Sequence, residues 1–205
     1  MEEGKMNWRT VVVASVMAAL TYSVLTGAGA QQQKGKGGEG KAGAAPAAPA
    51  NTGPFDGRPL KEAIVGSWRL LIADAVKADG TQVPLYGPNP RGLAMFGPEG
   101  RYSIQIMRDI GRPKFAANDR LKGTPAEIKA AFEGGLSHFG SYTIDEQGKT
   151  LNLRIEGSSY PNWDDVTQPR SITALWQDDL TWTNTIQATQ VPGAEKTNLA
   201  WRRIK

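Results

Sequence analysis

Short runs in which apolar and polar residues alternate recur along the chain, separated by glycine, proline, asparagine and aspartate. A two-residue period is typical of β-strands, and the separating residues are typical of turns. The clearest case is a pair of runs, residues 91–96 and 101–107, that flank Gly97-Pro98-Glu99-Gly100. Proline fixes φ at the second position of a turn, and glycine suits the fourth position of a type I turn. The pattern therefore predicts a β-hairpin.

Further runs predict a long first strand, a short segment that extends or pairs with it, two more hairpins and a closing strand. They cover residues 64–74, 81–85, 139–144, 150–156, 171–177, 180–186 and 197–204. Strands at this spacing favour an all-β sandwich or barrel. Eight antiparallel strands close a barrel just wide enough for packed side chains or one small ligand. We therefore predict an all-β fold, a single antiparallel barrel of about eight strands.

One segment has helical spacing instead. Thr124-Pro125-Ala126-Glu127 forms a capping box with proline at the first helical position. Apolar residues then recur at positions 128, 131, 132 and 136, which predicts one short helix that ends at about Ser137. His138, the single histidine of the chain, would follow the end of that helix, where a cation complements the helix dipole. We favour this role for His138 over a catalytic one.

The first 53 residues differ in composition from the rest. Residues 11–25 form an apolar run with Lys5 and Arg9 before it and Ala28-Gly29-Ala30 after it. The run is short for a membrane span, so residues 1–30 are predicted to be a secretory signal peptide, with an uncleaved anchor as the alternative. Residues 31–53, rich in glycine, alanine, proline and lysine, predict a disordered linker. Residues 54–205 would form one domain of a secreted or periplasmic protein.

Composition limits the partners of this domain. Residues 54–205 hold 19 Lys and Arg and 17 Asp and Glu with both signs interspersed, so we expect no nucleic acid partner. The absence of cysteine excludes disulfides, and with a single histidine and no cysteine we expect no metal site. Without a glycine-rich phosphate loop we expect no cofactor. After signal cleavage we expect no membrane span, and the oligomeric state stays open.

The first and last predicted strands carry a recognisable pair of motifs. Gly66-Ser67-Trp68 lies on the first, and Arg202 and Arg203 lie on the last. This resembles the lipocalin signature, in which a final-strand arginine lies across the first-strand tryptophan at the barrel floor, a cation–π contact. VGSWRL, GPNPRG, GPEGRYSIQIMR, GTPAEIKAAF, FGSYTID, PNW and LAWRR occur in the order seen in the bacterial and fungal lipocalin-like domain family. The resemblance covers residues 64–204.

The resemblance implies a function as well as a fold. Lipocalin folds bind small apolar molecules inside the barrel, and a minority isomerise or cyclise such molecules. Members of the family often carry a histidine in the strand before the PNW motif, whereas residues 151–156 read LNLRIE here. This departure lowers the expectation of catalysis. We therefore expect a small hydrophobic or amphipathic ligand; an isomerase or cyclase, and a structural module whose barrel is filled by its own tryptophans, are the alternatives.

The polar residues of the first hairpin are candidates for a binding site. On residues 101–107, polar and apolar side chains face opposite sides of the strand. In one interpretation Tyr102 and its apolar neighbours form the core, and the polar face is solvated. In the other, which we adopt, Gln105, Met107 and Arg108 face the cavity, where a buried amide would orient a ligand.

Glu156 is the candidate for a general acid. Glu156 and Arg154 share one face of their strand, so an exposed pair of charges is one possibility. An inward Glu156 would instead pair with Arg170 or Arg108, or stay protonated and act as an acid. The enzyme alternative combines Glu156 with Arg170 or Tyr142 on a bound hydrophobic substrate.

Tyr160-Pro161-Asn162-Trp163 follows that strand in a predicted loop. The loop either caps the core or forms a lid over the barrel mouth, where Tyr142 would lie at the same end. The predicted ligand-binding residues are Gln105, Met107, Arg108, Tyr142, Glu156, Tyr160, Trp163 and Arg170. The predicted structural residues are Gly66, Trp68, Arg202 and Arg203.

Overall fold

The computed structural model describes residues 55–185 and 191–205. The predicted signal peptide and linker, residues 1–53, lie outside the described residues. The described elements are α1 (Leu60–Ala63), β1 (Gly66–Lys77), β2 (Gln82–Pro84), β3 (Arg91–Phe96), β4 (Arg101–Met107), α2 (Pro125–Glu133), β5 (Gly135–Asp145), β6 (Thr150–Ser158), a 3₁₀ turn (Pro161–Trp163), β7 (Thr167–Trp176), β8 (Asp179–Thr185) and β9 (Ala194–Arg203). Within these ranges, no helix is long and apolar enough to cross a membrane.

The strands form one antiparallel sheet that closes on itself. Each strand from β3 to β9 pairs with the next, and β1 pairs with both β3 and β9. These eight strands make a closed barrel, and β2 adds a short extra strand beside the second half of β1. The prediction of an all-β barrel of about eight strands is confirmed.

Strand β1 is long enough to pair with two strands, β3 and β2, along the same edge. Its first four residues pair with β3, and Asp74 to Val76 pair with β2. A bulge between Leu70 and Ile72, opposite β9, interrupts the alternation. Trp68, Leu70 and then Ala73 consequently pack in the main core, whereas Ile72 joins a small separate cluster.

The predicted hairpin agrees with β3 and β4 at both ends. In its turn, the Gly100 N–H donates to the Gly97 carbonyl (3.1 Å), and Gly100 has a φ of 81°, which glycine adopts without strain. The start of β1 differs from the prediction, because Ile64 caps α1 instead of opening the strand.

The helix α2 begins as predicted and ends early. Glu127 and Thr124 form the capping box: the Glu127 N–H donates to Thr124 Oγ1 (3.3 Å), and the Thr124 N–H donates to Glu127 Oε2 (2.7 Å). From Gly135 the chain pairs with β4 as strand β5, so the helix stops at Glu133. The predicted placement of His138 after a helix is therefore wrong, because His138 lies within β5 and is buried.

Aromatic side chains close one end of the barrel. Trp68, Trp182 and Trp201 are fully buried there, and the rings of Trp182 and Trp201 lie 5.1 Å apart. The Arg203 guanidinium lies 4.2 Å from the centre of the Trp68 ring and donates to the carbonyls of Ala63 and Val65. This cation joins β9 to the end of α1 across the barrel floor.

The register of β9 decides which of the two final arginines packs at the floor. Trp201 and Arg203 point inward, whereas Arg202 pairs with Asp179 on β8 (Nε to Oδ1, 2.8 Å). Gly66 has a φ of 128°, and a Cβ there would lie 2.7 Å from Arg203 Nη1. Glycine at this position therefore leaves room for the arginine.

Candidate ligand-binding site

A cavity of about 390 Å³ lies inside the barrel. Its apolar walls come from several strands and from the connection after β2: Ala73, Leu85, Tyr86, Ile104, Ile106, Leu136, Trp182 and Leu199. Three side chains of α2, Lys129, Phe132 and Glu133, also line it and are exposed. The cavity therefore reaches solvent beside α2, and its volume suits a small ligand.

His138 and Tyr102 form a buried polar pair beside this cavity. The Tyr102 hydroxyl and His138 Nδ1 are 2.9 Å apart, and the His138 ring meets the Trp163 ring edge-on at 6.0 Å between centres. Burial lowers the pKa of His138 to about 3, and the charge of Arg170 lowers it further in the same direction. The imidazole is therefore neutral at neutral pH, so it can donate one hydrogen bond and accept another without adding charge to the cavity.

Lowering the pH from 6.5 to 5 is expected to reduce the free energy of unfolding by up to about 2 kcal/mol. The unfolded imidazole takes up a proton near pH 6.5, whereas the folded one stays neutral until about pH 3. Since the folded pKa is lowered, the stability is present above pH 6.5 and falls by at most about 1.4 kcal/mol for each pH unit below it.

Urea melts of the wild type and of His138→Gln, at pH 6.5 and pH 5, measure this loss. The chain has one histidine, so the variant should lose most of the pH dependence in that window. Equal slopes in the two proteins would contradict a buried, neutral His138.

Arg170 projects from β7 into the cavity. It is 6% exposed; its Nη1 donates to the Pro169 carbonyl (3.1 Å), and its Nη2 donates to Gln168 Oε1 (2.6 Å). Burial lowers the pKa of Arg170 to about 10, so the guanidinium remains charged at neutral pH. The cavity thus combines apolar walls with a fixed cation.

A second polar pair lies on β8 and β9. Thr197 Oγ1 donates to Asn184 Oδ1 (2.5 Å), and both residues line the cavity. Because this bond fixes the amide with its oxygen toward Thr197, the two side chains offer a hydrogen-bonding position on another wall of the cavity.

The predicted orientation of Gln105 and Met107 is wrong. Tyr102, Ile104 and Ile106 are the buried residues of β4, and Gln105 is exposed on the opposite face. The apolar side chains fill the barrel. Met107 lies two positions after Gln105 on the same strand, so it also faces away from the cavity. Arg108 follows β4 and donates to the Leu85 carbonyl (3.3 Å) without lining the cavity.

The inward, protonated Glu156 is also contradicted. Leu151, Leu153 and Ile155 fill the inner face of β6, which leaves Glu156 outside. There Glu156 binds Arg101 through two hydrogen bonds (2.5 and 2.8 Å), and this contact lowers the pKa of the carboxyl. Glu156 is therefore an exposed carboxylate, as the alternative prediction had it.

The other predicted residues fall into two groups. Tyr160, Trp163 and Arg170 all line the cavity; their role in binding a ligand stays a prediction. Tyr142 instead packs against Phe96, with ring centres 5.2 Å apart, and donates its hydroxyl to the Gly97 carbonyl (2.8 Å). Tyr142 thus belongs to the packed core.

The cavity also holds residues that the sequence analysis did not place there, above all His138, Asn184 and Thr197. The sequence contains a pattern that could have placed His138. Once β5 is extended back to Gly135, His138 falls on the same face of the strand as Gly140 and Tyr142. Asn184 and Thr197 had no such signal, because they meet only through the pairing of β8 with β9.

A closed eight-stranded antiparallel barrel with a largely apolar internal cavity is the architecture of lipocalin-type β-barrel proteins. The sequence agrees, since the family model described as a lipocalin-like domain matches residues 65–204. The chain belongs to the lipocalin-like domain family.

Known proteins that are similar to this chain include a fungal carrier protein and a protein of solved structure. The 4'-hydroxy-3'-methoxypropiophenone carrier protein ppsC of Aspergillus oryzae (strain ATCC 42149 / RIB 40) is 30% identical over 109 residues, which cover 50% of this chain and 96% of that protein. The solved structure of apocrustacyanin C2 is 13% identical, with a TM-score of 0.35. That match covers 73% of this chain and 65% of the apocrustacyanin chain, slightly less than two thirds of its length.

Proposed function

We propose that this protein is an exported carrier that binds one small aromatic molecule in the barrel cavity. The observation that carries the proposal is the cavity itself. Its volume of about 390 Å³ lies within the range of small-molecule sites, and apolar walls with a few fixed polar groups are typical of such sites.

The lining favours an aromatic ligand. Trp182 forms part of the inner wall, and Phe132, Tyr160 and Trp163 lie toward the open side. Flat rings pack well against such side chains in stacked or edge-to-face arrangements. The similar carrier protein of Aspergillus oryzae is named for an aryl ketone, which is a molecule of this kind.

A carrier fits the site better than the two alternatives. Glu156, the acid on which the enzyme alternative rested, lies outside the barrel in a pair with Arg101. A structural module filled by its own tryptophans would leave no room inside, whereas here Trp68 and Trp201 pack at the floor and the cavity remains beyond them.

The proposal that the carrier is exported rests on residues 1–30. A basic start, an apolar run and a small-residue motif form the pattern of a secretory signal peptide, which would send the protein to the periplasm or the exterior.

Titration of the purified protein with 4'-hydroxy-3'-methoxypropiophenone tests the proposal. Trp163 and Trp182 line the cavity, so binding should change tryptophan fluorescence. We expect saturation at one molecule per barrel with a dissociation constant in about the micromolar range, as for other ligands of this size. If neither this ketone nor a panel of other small aromatic molecules gives saturable binding, the carrier proposal is wrong.

A further inference from the structure

We propose that the natural ligand carries an anionic group, a carboxylate or a phenolate, and that Arg170 binds this group. The inference rests on the proposed carrier function, because it names the chemical class of the molecule held in the same cavity.

Arg170 is a buried cation that contacts only neutral acceptors. Its two described hydrogen bonds go to the Pro169 carbonyl and to the side-chain oxygen of Gln168. Among residues 55–185 and 191–205, no aspartate or glutamate forms an ion pair with it. Burying a charge without a counter-charge is unfavourable, so an anion supplied by a ligand would stabilise this arrangement.

The surroundings of Arg170 hold the guanidinium in place and shield it from most of the bulk solvent. Gln168, which is 3% exposed, points inward from the same strand and accepts from Nη2. On the adjacent strand β6, Leu153 is the pairing partner of Gln168 and Leu151 is that of Arg170. Both leucines are fully buried. In such a low-dielectric position, charge-assisted hydrogen bonds from a guanidinium to an anion are strong.

The other charged groups of the cavity do not balance Arg170. Glu133 lines the cavity, but it is exposed and lies 3.9 Å from Lys129 on the same helix, so these two charges offset each other. His138 is neutral and adds hydrogen-bonding capacity alone. The described lining therefore has a net charge of about +1, which is complementary to an anionic ligand.

Two probes of equal size separate charge from shape. The 2-naphthoate anion and neutral 2-acetylnaphthalene have the same ring system and the same number of heavy atoms. At pH 7 we expect the wild type to bind the anion more tightly by about 10- to 30-fold, because only the anion forms charge-assisted bonds with Arg170. Tryptophan fluorescence and calorimetry measure the two dissociation constants.

Arg170→Met removes the charge and keeps a long apolar side chain. The preference for the anion should disappear in this variant, while the affinity for 2-acetylnaphthalene changes by less than about threefold. Arg154→Met is the matched control, since Arg154 lies on the outer face of β6 with Asp165 (2.9 Å) and should not affect the preference. Arg170→Lys keeps the charge without the planar fork and should retain part of the preference.

The outcomes separate this inference from the carrier proposal. Equal affinity of the wild type for the two probes overturns the anion proposal and leaves the carrier proposal standing, because the cavity is still occupied. Binding of neither probe, nor of the aryl ketone, overturns both. If Arg170→Met does not fold, the wild type and Arg170→Lys decide. Tighter binding of 2-naphthoate than of 2-acetylnaphthalene by the wild type, retained in part by Arg170→Lys, supports the proposal, and equal affinities of the wild type for the two probes overturn it.

Discussion

Replacing Trp68 by alanine is expected to lower the free energy of unfolding by about 3–5 kcal/mol, the usual loss when a buried aromatic side chain is truncated. Trp68 is fully buried, and its Nε1–H donates to the Ile64 carbonyl (2.7 Å). Alanine would leave a void between strands β1, β3 and β9, whose hydrogen-bonded pairing limits how far they can close around it. The loss should therefore fall toward the upper part of this range.

The contact between Trp68 and Arg203 adds to this loss. The guanidinium rests on the ring at 4.2 Å and holds the carbonyls of Ala63 and Val65 at the end of α1. Without the ring, Arg203 loses its cation–π partner in a partly buried position, where such contacts are worth about 1–2 kcal/mol. The helix α1 should become less well fixed on the barrel floor.

Trp176→Ala is the control for the size of the side chain. Trp176 ends β7 and is 43% exposed, so its truncation should lower the free energy of unfolding by no more than about 1 kcal/mol. Urea melts followed by circular dichroism measure both variants. A change within about 0.5 kcal/mol for Trp68→Ala would contradict its place at the barrel floor.

Ala73→Phe is expected to weaken binding of the aryl ketone by about 100-fold or more, equivalent to about 2.7 kcal/mol. Ala73 lies on β1, is 2% exposed and lines the cavity, so a phenyl ring there occupies the volume that the ligand needs. The open cavity receives the new ring, so we expect a change in the free energy of unfolding of less than about 2 kcal/mol. Tryptophan fluorescence titration measures the affinity.

Ser171→Phe is the matched control for Ala73→Phe, because Ser171 is exposed on the outer face of β7. It adds the same ring to the surface and should leave the affinity within about twofold of the wild type. Wild-type affinity in Ala73→Phe, with the variant folded, would mean that the ligand binds outside the cavity.

The parts of the fold that local sequence determines were predictable. The hairpin of β3 and β4 follows from alternation and from turn residues that lie within a few positions of one another. The helix α1 was missed because its four residues are too few to show a helical period. The start of β5 was misassigned because Leu136 continues the helical spacing of α2, and pairing with β4, a long-range contact, decides its structure.

The candidate site was harder to predict than the fold. A two-residue period identifies two faces of a strand without saying which one is inside. For β4 and β6 the apolar faces, with Ile104 and Leu153, fill the barrel, so Gln105 and Glu156 lie outside. The same ambiguity applied to the floor, where only the register of β9 shows that Arg203 packs on Trp68.

The cavity gathers residues that are distant in sequence. Arg170 on β7, His138 on β5 and Asn184 on β8 line one cavity because the sheet curves and closes into a barrel. Their combination of a fixed cation, a neutral imidazole and an amide depends on this closure. A single sequence does not show which distant residues lie together in the fold. For this reason, only some of the predicted ligand-binding residues line the cavity.

Native mass spectrometry of the protein purified from its own source tests the central claim, that the barrel holds a small ligand. We expect a reproducible extra mass of one small molecule per chain, which after denaturation is released as an aromatic compound with an acidic group. A mass that equals the bare chain, and that is unchanged after incubation with an extract of small molecules from the same source, would contradict it.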